Sequence, residues 1–252
     1  MSDQPGFEVV PVDGAPPIDR VIAGFAGADL SALTAVDYLL DTYDTVPIAN
    51  IRTKGLPDVA VVRDGIPHHP MRVYGLPELD VTILSSEVFV PVSLADRFTD
   101  ALASWLDVAD VSSFTLVHGA EFPHQETEHV PFLAATDAFR DTIGSMDVDR
   151  LPRGMLDGIA GEVLLRGQDG DLPPMAVVVT PAHLPGPDVE AALSLLDGIS
   201  SLHGLSIDDT ELHERSDRLR EYYQGVADRM QAIREADGTA TTRDFPEDRM
   251  YM

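Results

Sequence analysis

Cysteine is absent from this chain of 252 residues, which excludes disulfides, thiolate metal sites and cysteine nucleophiles. Lysine is nearly absent: Lys54 is the one lysine among 17 basic residues. With no basic patch to neutralise phosphates, nucleic-acid binding is not expected. No apolar run reaches the length of a membrane span. The opening MSDQPG lacks the basic and apolar regions of a secretory signal. A soluble, cytoplasmic protein with neither membrane nor nucleic-acid partner is therefore expected. Walker A, G-x-G-x-x-G and G-x-S-x-G motifs are also missing.

What is abundant is negative charge. The chain carries 43 acidic residues, giving a net charge of −26, spread along its whole length. Dense carboxylates with scarce lysine point to the cytosol of a salt-accumulating, halophilic organism. At molar salt the Debye length is about 3 Å, so the self-repulsion of such a surface is largely screened. In dilute buffer it is not, and the fold should weaken.

Hydrophobic content is 44%, ordinary for a globular protein with a sizeable core. Its distribution alternates between two periods. Arg20–Phe25, Val46–Ile51, Val59–Arg63, Val81–Ser85, Ser113–His118 and Met175–Thr180 read as strands. Between them lie helical patterns. One opens at an Asp29 or Ser31 cap and runs to about Tyr43. A second covers Ser93–Asp107, with Leu94, Phe98, Leu102 and Trp105 on one side. A third spans Pro152–Leu165, with a glycine face, and a fourth Asp188–Leu202. This alternation predicts an α/β fold, a mainly parallel sheet covered by helices. The turn Gly24-Phe25-Ala26-Gly27 is read as tight strand-to-helix packing.

The chain divides into an N-terminal extension (1–17), an α/β core (18–207), an amphipathic helix attached to that core (208–237) and a flexible tail (238–252). In the third segment Leu212, Leu219, Val226 and Ile233 recur every seven residues, with Tyr223 and Met230 filling the stripe. Such a helix is roughly 42 Å long at 1.5 Å per residue. Gly238 is a helix stop. The tail GTATTRDFPEDRMYM has no apolar periodicity and reaches up to roughly 50 Å if fully extended. It finishes in Met250, Tyr251 and Met252, a hydrophobic–tyrosine–any pattern that is a docking signature for the proteasome core particle. The ring enters a pocket between ring subunits and the carboxylate pairs with a lysine there, a form of C-terminal capture.

The densest polar cluster is His118, Glu121, His124, Glu126, Glu128 and His129. Imidazoles and carboxylates of this kind hold divalent metals, and the cluster follows a strand, where open α/β sheets place ligands. It is not HExxH, and Pro123 and Pro131 argue for a solvated loop, so no metal ligand is assigned. His68-His69, between Pro67 and Pro70, reads as a turn. No convergent acid, base and oxyanion set emerges. No catalytic residue and no cofactor are assigned.

From about Ile18 to Ser216 the chain resembles the proteasome assembly chaperone family of the second-subunit type, in its archaeal, haloarchaeal-like form. The resemblance is carried by RVIAGFAG with ALTAVDYLL, then TILSSEVFVP, GMLDGIAGEVLL and PDVEAALSLLDGISSLHGLSID. It implies a compact fold similar to nucleoside phosphorylases and nucleosidases, without their activity, and assembly into homo-oligomers. Archaeal members often end in the tyrosine motif, which Met250, Tyr251 and Met252 match. The implied partner is the proteasome core-particle α-ring, and the implied role is assisting assembly or opening the gate. The alternative is a metal-dependent hydrolase or nucleoside-processing enzyme using the loop His118–His129.

Overall fold

The computed structural model describes residues 6–54, 59–63, 65–121, 129–143, 148–183, 186–214 and 216. In chain order the elements are β1 (Gly6–Pro11), β2 (Arg20–Phe25), α1 (Ser31–Thr42), β3 (Val46–Lys54), β4 (Val61–Arg63), β5 (Ile66–His68), β6 (Met71–Leu76), β7 (Val81–Ser86), α2 (Ala95–Val108), β8 (Ser113–Ala120), β9 (Phe132–Ala135), α3 (Asp137–Ile143), β10 (Asp149–Arg150), α4 (Gly158–Gln168), β11 (Met175–Pro181) and α5 (Val189–His203). Nine strands form one sheet in the order β1-β3-β6-β7-β2-β8-β11-β9-β10, while β4 and β5 make a separate hairpin.

The parallel part of the sheet is its centre. β7, β2, β8 and β11 run parallel, with Val21 opposite Thr82 on one side and Phe114 on the other, and Phe114 opposite Met175. These strands are buried on both faces, so they read as continuous apolar runs rather than alternations. The flank β1-β3-β6 is antiparallel and joins β7 antiparallel, and β9 meets β11 antiparallel. The sheet is thus mixed, with a parallel core.

Side-chain alternation divides the core into two layers. Val21, Ala23 and Phe25 of β2 join Phe98, Leu102 and Trp105 of α2 and Val163 of α4 in one cluster. Phe98 stands edge-on to Phe25 and to Phe7, with centroids 5.4 and 5.1 Å away, a favoured aromatic geometry. On the opposite face α1 packs against α5, and both lie over the central strands. Gly24 explains how closely α1 approaches: a β-carbon there would lie 2.6 Å from the Ala32 carbonyl oxygen. Both faces being covered is what permits a parallel sheet.

Residues 6–11 form the edge strand β1, held to β3, with Phe7 edge-on to Phe98. Two details differ from the sequence reading. His68 is not in a turn but ends β5, paired with Val61 of β4. The third helix begins at Gly158 rather than near Pro152. The chain divides into two compact units, Met1–Asp209 and Thr210–Met252. Of the segment 208–237 expected as a helix, residues 208–214 and 216 are described, with 210–214 and 216 helical; the rest of it and the tail 238–252 lie outside the described residues. No helix among the described residues is long and apolar enough to cross a membrane.

Candidate functional site

The chain leaves β2 toward the β3-β6-β7 side and later returns to build β8 on the other. The loops after β2 and β8 therefore diverge across a switch point, the usual ligand position in open α/β sheets. The loop after β11 joins them. Asp29, buried in the first loop, is the hub. Its carboxylate accepts the Ser31 amide at 3.1 Å and the Ser31 hydroxyl. Its carbonyl accepts the Asp188 amide at 2.9 Å, and the Ala28 carbonyl accepts the Gly186 amide at 3.3 Å. Two glycines make room. A β-carbon on Gly119 would collide with the Asp29 carboxylate, and one on Gly186 with the Asp29 carbonyl.

Asp188 links this hub to a histidine pair. It is the N-cap of α5, where a short acceptor side chain is favoured: Oδ1 accepts the Ala191 amide at 3.0 Å. Oδ2 accepts the His183 amide at 2.7 Å and lies 3.0 Å from His183 Nδ1 and 3.5 Å from His129 Nε2. The two imidazoles meet edge to face, with His129 Nε2 3.3 Å from His183 Nδ1. His129 Nδ1 faces Glu190 Oε2 at 3.6 Å. His129 and Asp188 are almost fully buried at the side chain, at 7% and 8% exposure, while His183 is half-exposed at 48%. Burial pushes the Asp188 carboxyl pKa up, but hydrogen bonds from His129 and from the Ala191 and His183 amides outweigh it and hold the group below the usual carboxylate range.

Of the residues singled out from sequence, His118 lies two residues before the end of β8, where burial lowers its pKa against the opposing pull of Asp29 and Asp157. Glu121 is exposed. His124, Glu126 and Glu128 lie outside the described residues, as do Met250, Tyr251 and Met252. His129 is brought to His183 and Asp188. Among the described residues these three are the one set whose donor atoms converge closely enough for a cation. The sequence reading does not single out His183, and it takes Asp188 only as a helix start. The segment PAHLPGPD, a strand end followed by a histidine and a capping aspartate, is the signal that could have found them. Ser31 gives its hydroxyl to Asp29 rather than to an imidazole, so it is not paired with a histidine as an activated nucleophile would be.

A second polar cluster occupies the same edge on the β7 side. Arg63 Nη2 lies 3.0 Å from Asp37 and 3.2 Å from Glu87. Ser85 donates to Asp37 at 3.1 Å, and buried Arg72 donates to Glu87. Surface clefts lie elsewhere, among them one bordered by Leu133, Arg140, Arg150 and Gln168 and another by Phe7, Arg52, His69 and Phe89. Neither gathers a comparable constellation.

Structural relatives share the fold at low identity. PbaA of Pyrococcus furiosus, described as an archaeal homolog of proteasome-assembly chaperone, matches with a TM-score of 0.77 and 17% identity over 93% of this chain and 97% of its own. A Thermoplasma acidophilum protein of unknown function gives 0.69 and 22%, over 88% and 90%. PbaB of P. furiosus, described as an archaeal proteasome activator, gives 0.72 and 17%, over 90% and 100%. No curated protein matches the sequence. The model of the PAC2 family matches residues 21–227, which span the sheet from β2 onward, both helical layers and both polar clusters, and the chain belongs to that family.

Proposed function

We propose that this protein binds the proteasome core particle, docking Met250, Tyr251 and Met252 into pockets of the α-ring to assist assembly or open the gate. Membership of the PAC2 family carries the reading, and the descriptions of PbaA and PbaB as an assembly-chaperone homolog and a proteasome activator support it. The body is then an oligomeric, non-catalytic platform, soluble in a salt-rich cytoplasm, and the tail 238–252 is its reach. One three-residue tip binds weakly. Several tips on a homo-oligomer bind well, because the later contacts form at high effective concentration. At molar salt the attraction between an exposed carboxylate and a lysine is screened. Burial of the Tyr251 ring and the methionines then supplies most of the affinity.

The test is binding to a haloarchaeal core particle in molar KCl, comparing the full chain with one lacking residues 250–252. Peptidase activity is read in the same samples. Binding should disappear with the truncation, and Tyr251→Ala should weaken it far more than Asp248→Ala. A rise in peptidase activity on binding identifies gate opening; unchanged activity identifies assembly assistance. Absence of binding by the intact chain refutes the proposal.

A further inference from the structure

We infer that His129, His183 and Asp188 form a binding site for a zinc-class divalent cation. Their donor atoms, His129 Nε2, His183 Nδ1 and Asp188 Oδ2, make a triangle with edges of 3.3, 3.0 and 3.5 Å. A tetrahedral ion bonded at about 2.0–2.1 Å requires ligand atoms roughly 3.3–3.4 Å apart. The three atoms therefore stand close to one face of such a tetrahedron without rearrangement, and leave its fourth vertex for water or another ligand.

The donor set selects the class. Two imidazole nitrogens and one carboxylate oxygen suit zinc and its first-row neighbours, whereas calcium and magnesium prefer oxygen throughout. The surroundings are those of a supported site. Asp188 Oδ1 is fixed by the Ala191 amide, and Oδ2 by the His183 amide. Glu190 stands behind His129 Nδ1, where a carboxylate orients a ligating imidazole and raises its basicity. The residues come from the loops after β8 and β11, which are parallel neighbours in the sheet. A bound cation would link the three donor atoms and clamp those loops beside Asp29. Cation binding here is independent of tail docking, so failure of either leaves the other standing.

The experiment uses the full-length protein, stripped with a chelator and titrated with Co²⁺ in molar KCl with excess Mg²⁺, which saturates nonspecific surface carboxylates. The expected result is one Co²⁺ per chain, with the visible absorption of a four- or five-coordinate site, displaced by stoichiometric Zn²⁺. His183→Ala removes a half-exposed side chain and should weaken binding at least about tenfold, and Glu190→Gln should weaken it by about the same factor. His129→Ala should abolish the absorption, with circular dichroism confirming that the variant is folded. Absence of saturable binding overturns the inference. So does a Co²⁺ spectrum unchanged by the His183 substitution, which would place the cation elsewhere.

Discussion

Two polar clusters sit on the same carboxyl edge of the sheet, on either side of β2, and they are balanced in different ways. On the β7 side, Asp37 and Glu87 face Arg63 and Arg72, and Asp41 faces Arg63 at 3.8 Å. Permanent cations close that network. On the β11 side, Asp29 and Asp188 form no ion pair with an arginine or lysine among the described residues. Their partners are amides, a hydroxyl and histidines. In a chain with 17 basic residues against 43 acidic ones, spending two arginines on one cluster marks it as a structural lock. The other cluster is left with imidazole nitrogens and a carboxylate that no arginine or lysine neutralises among the described residues, and these are the donor types a zinc-class cation takes.

The sharpest way to break the contrast is to open the lock. Arg72 is almost fully buried, and Glu87 is nearly so. Arg72→Ala leaves the Glu87 carboxylate with Arg63 alone and should cost about 3–5 kcal/mol, the usual result of stripping one partner from a buried pair. Denaturant unfolding in molar KCl measures it. A loss below about 1 kcal/mol, the range of exposed pairs, would show that this network is surface decoration. The next largest effect belongs to the opposite cluster. Gly186→Ala forces a methyl group into the Asp29 carbonyl. It should cost about 2–3 kcal/mol, in the range of overpacking, and weaken Co²⁺ binding in parallel. Equal stability in the variant would mean that the loop after β11 does not seat against Asp29 as described.

Much of this arrangement was readable beforehand, and the exceptions are instructive. Strands β2, β8 and β11 declare themselves because burial on both faces demands unbroken apolar runs such as Met175–Pro181. Helix α5 does so through its Asp188 cap and its Leu193, Leu196 and Ile199 spacing. β6 (MRVYGL) does not, because its Arg72 is buried only by virtue of Glu87, a partner 15 residues away. β1 is only partly buried and lies close to prolines, so it does not stand out until it pairs with β3. The candidate site is the extreme case. His129 lies 54 residues from His183, and the antiparallel pairing of β9 with β11, Phe132 opposite Val179, brings them together. Clustering of histidines in HGAEFPHQETEH therefore points to the loop that carries His129, but not to His183 or Asp188. The tyrosine tip is the reverse: a signal held in three consecutive residues, requiring no fold to be read.

The smallest predicted effect contrasts one carboxylate from each cluster. Asp37 has its pKa raised, since burial outweighs the pull of Arg63 and Ser85, whereas Asp188 has its pKa lowered. The signs of their pH dependence are opposite. Asp188 binds protons less tightly folded than unfolded. Its ionised form stabilises the fold above the ordinary carboxylate pKa, and that stability is lost as the pH falls from about 4 downward. Asp37 binds its proton more tightly when folded, so its ionisation at neutral pH works against the fold, and acidification toward its unfolded pKa relieves the penalty. Asp188→Asn should therefore cost about 1–2 kcal/mol at pH 7, the scale of a charged hydrogen-bond acceptor, and progressively less as the pH falls below about 4. Asp37→Asn should cost under about 1 kcal/mol at pH 7, because relief of the burial penalty offsets the lost attraction to Arg63. Urea unfolding of both variants and the parent across this pH range, at constant KCl, reads the two slopes. If both substitutions shift the acid limb in the same direction, the two clusters are electrostatically equivalent, and the distinction between a lock and a cation site loses its basis.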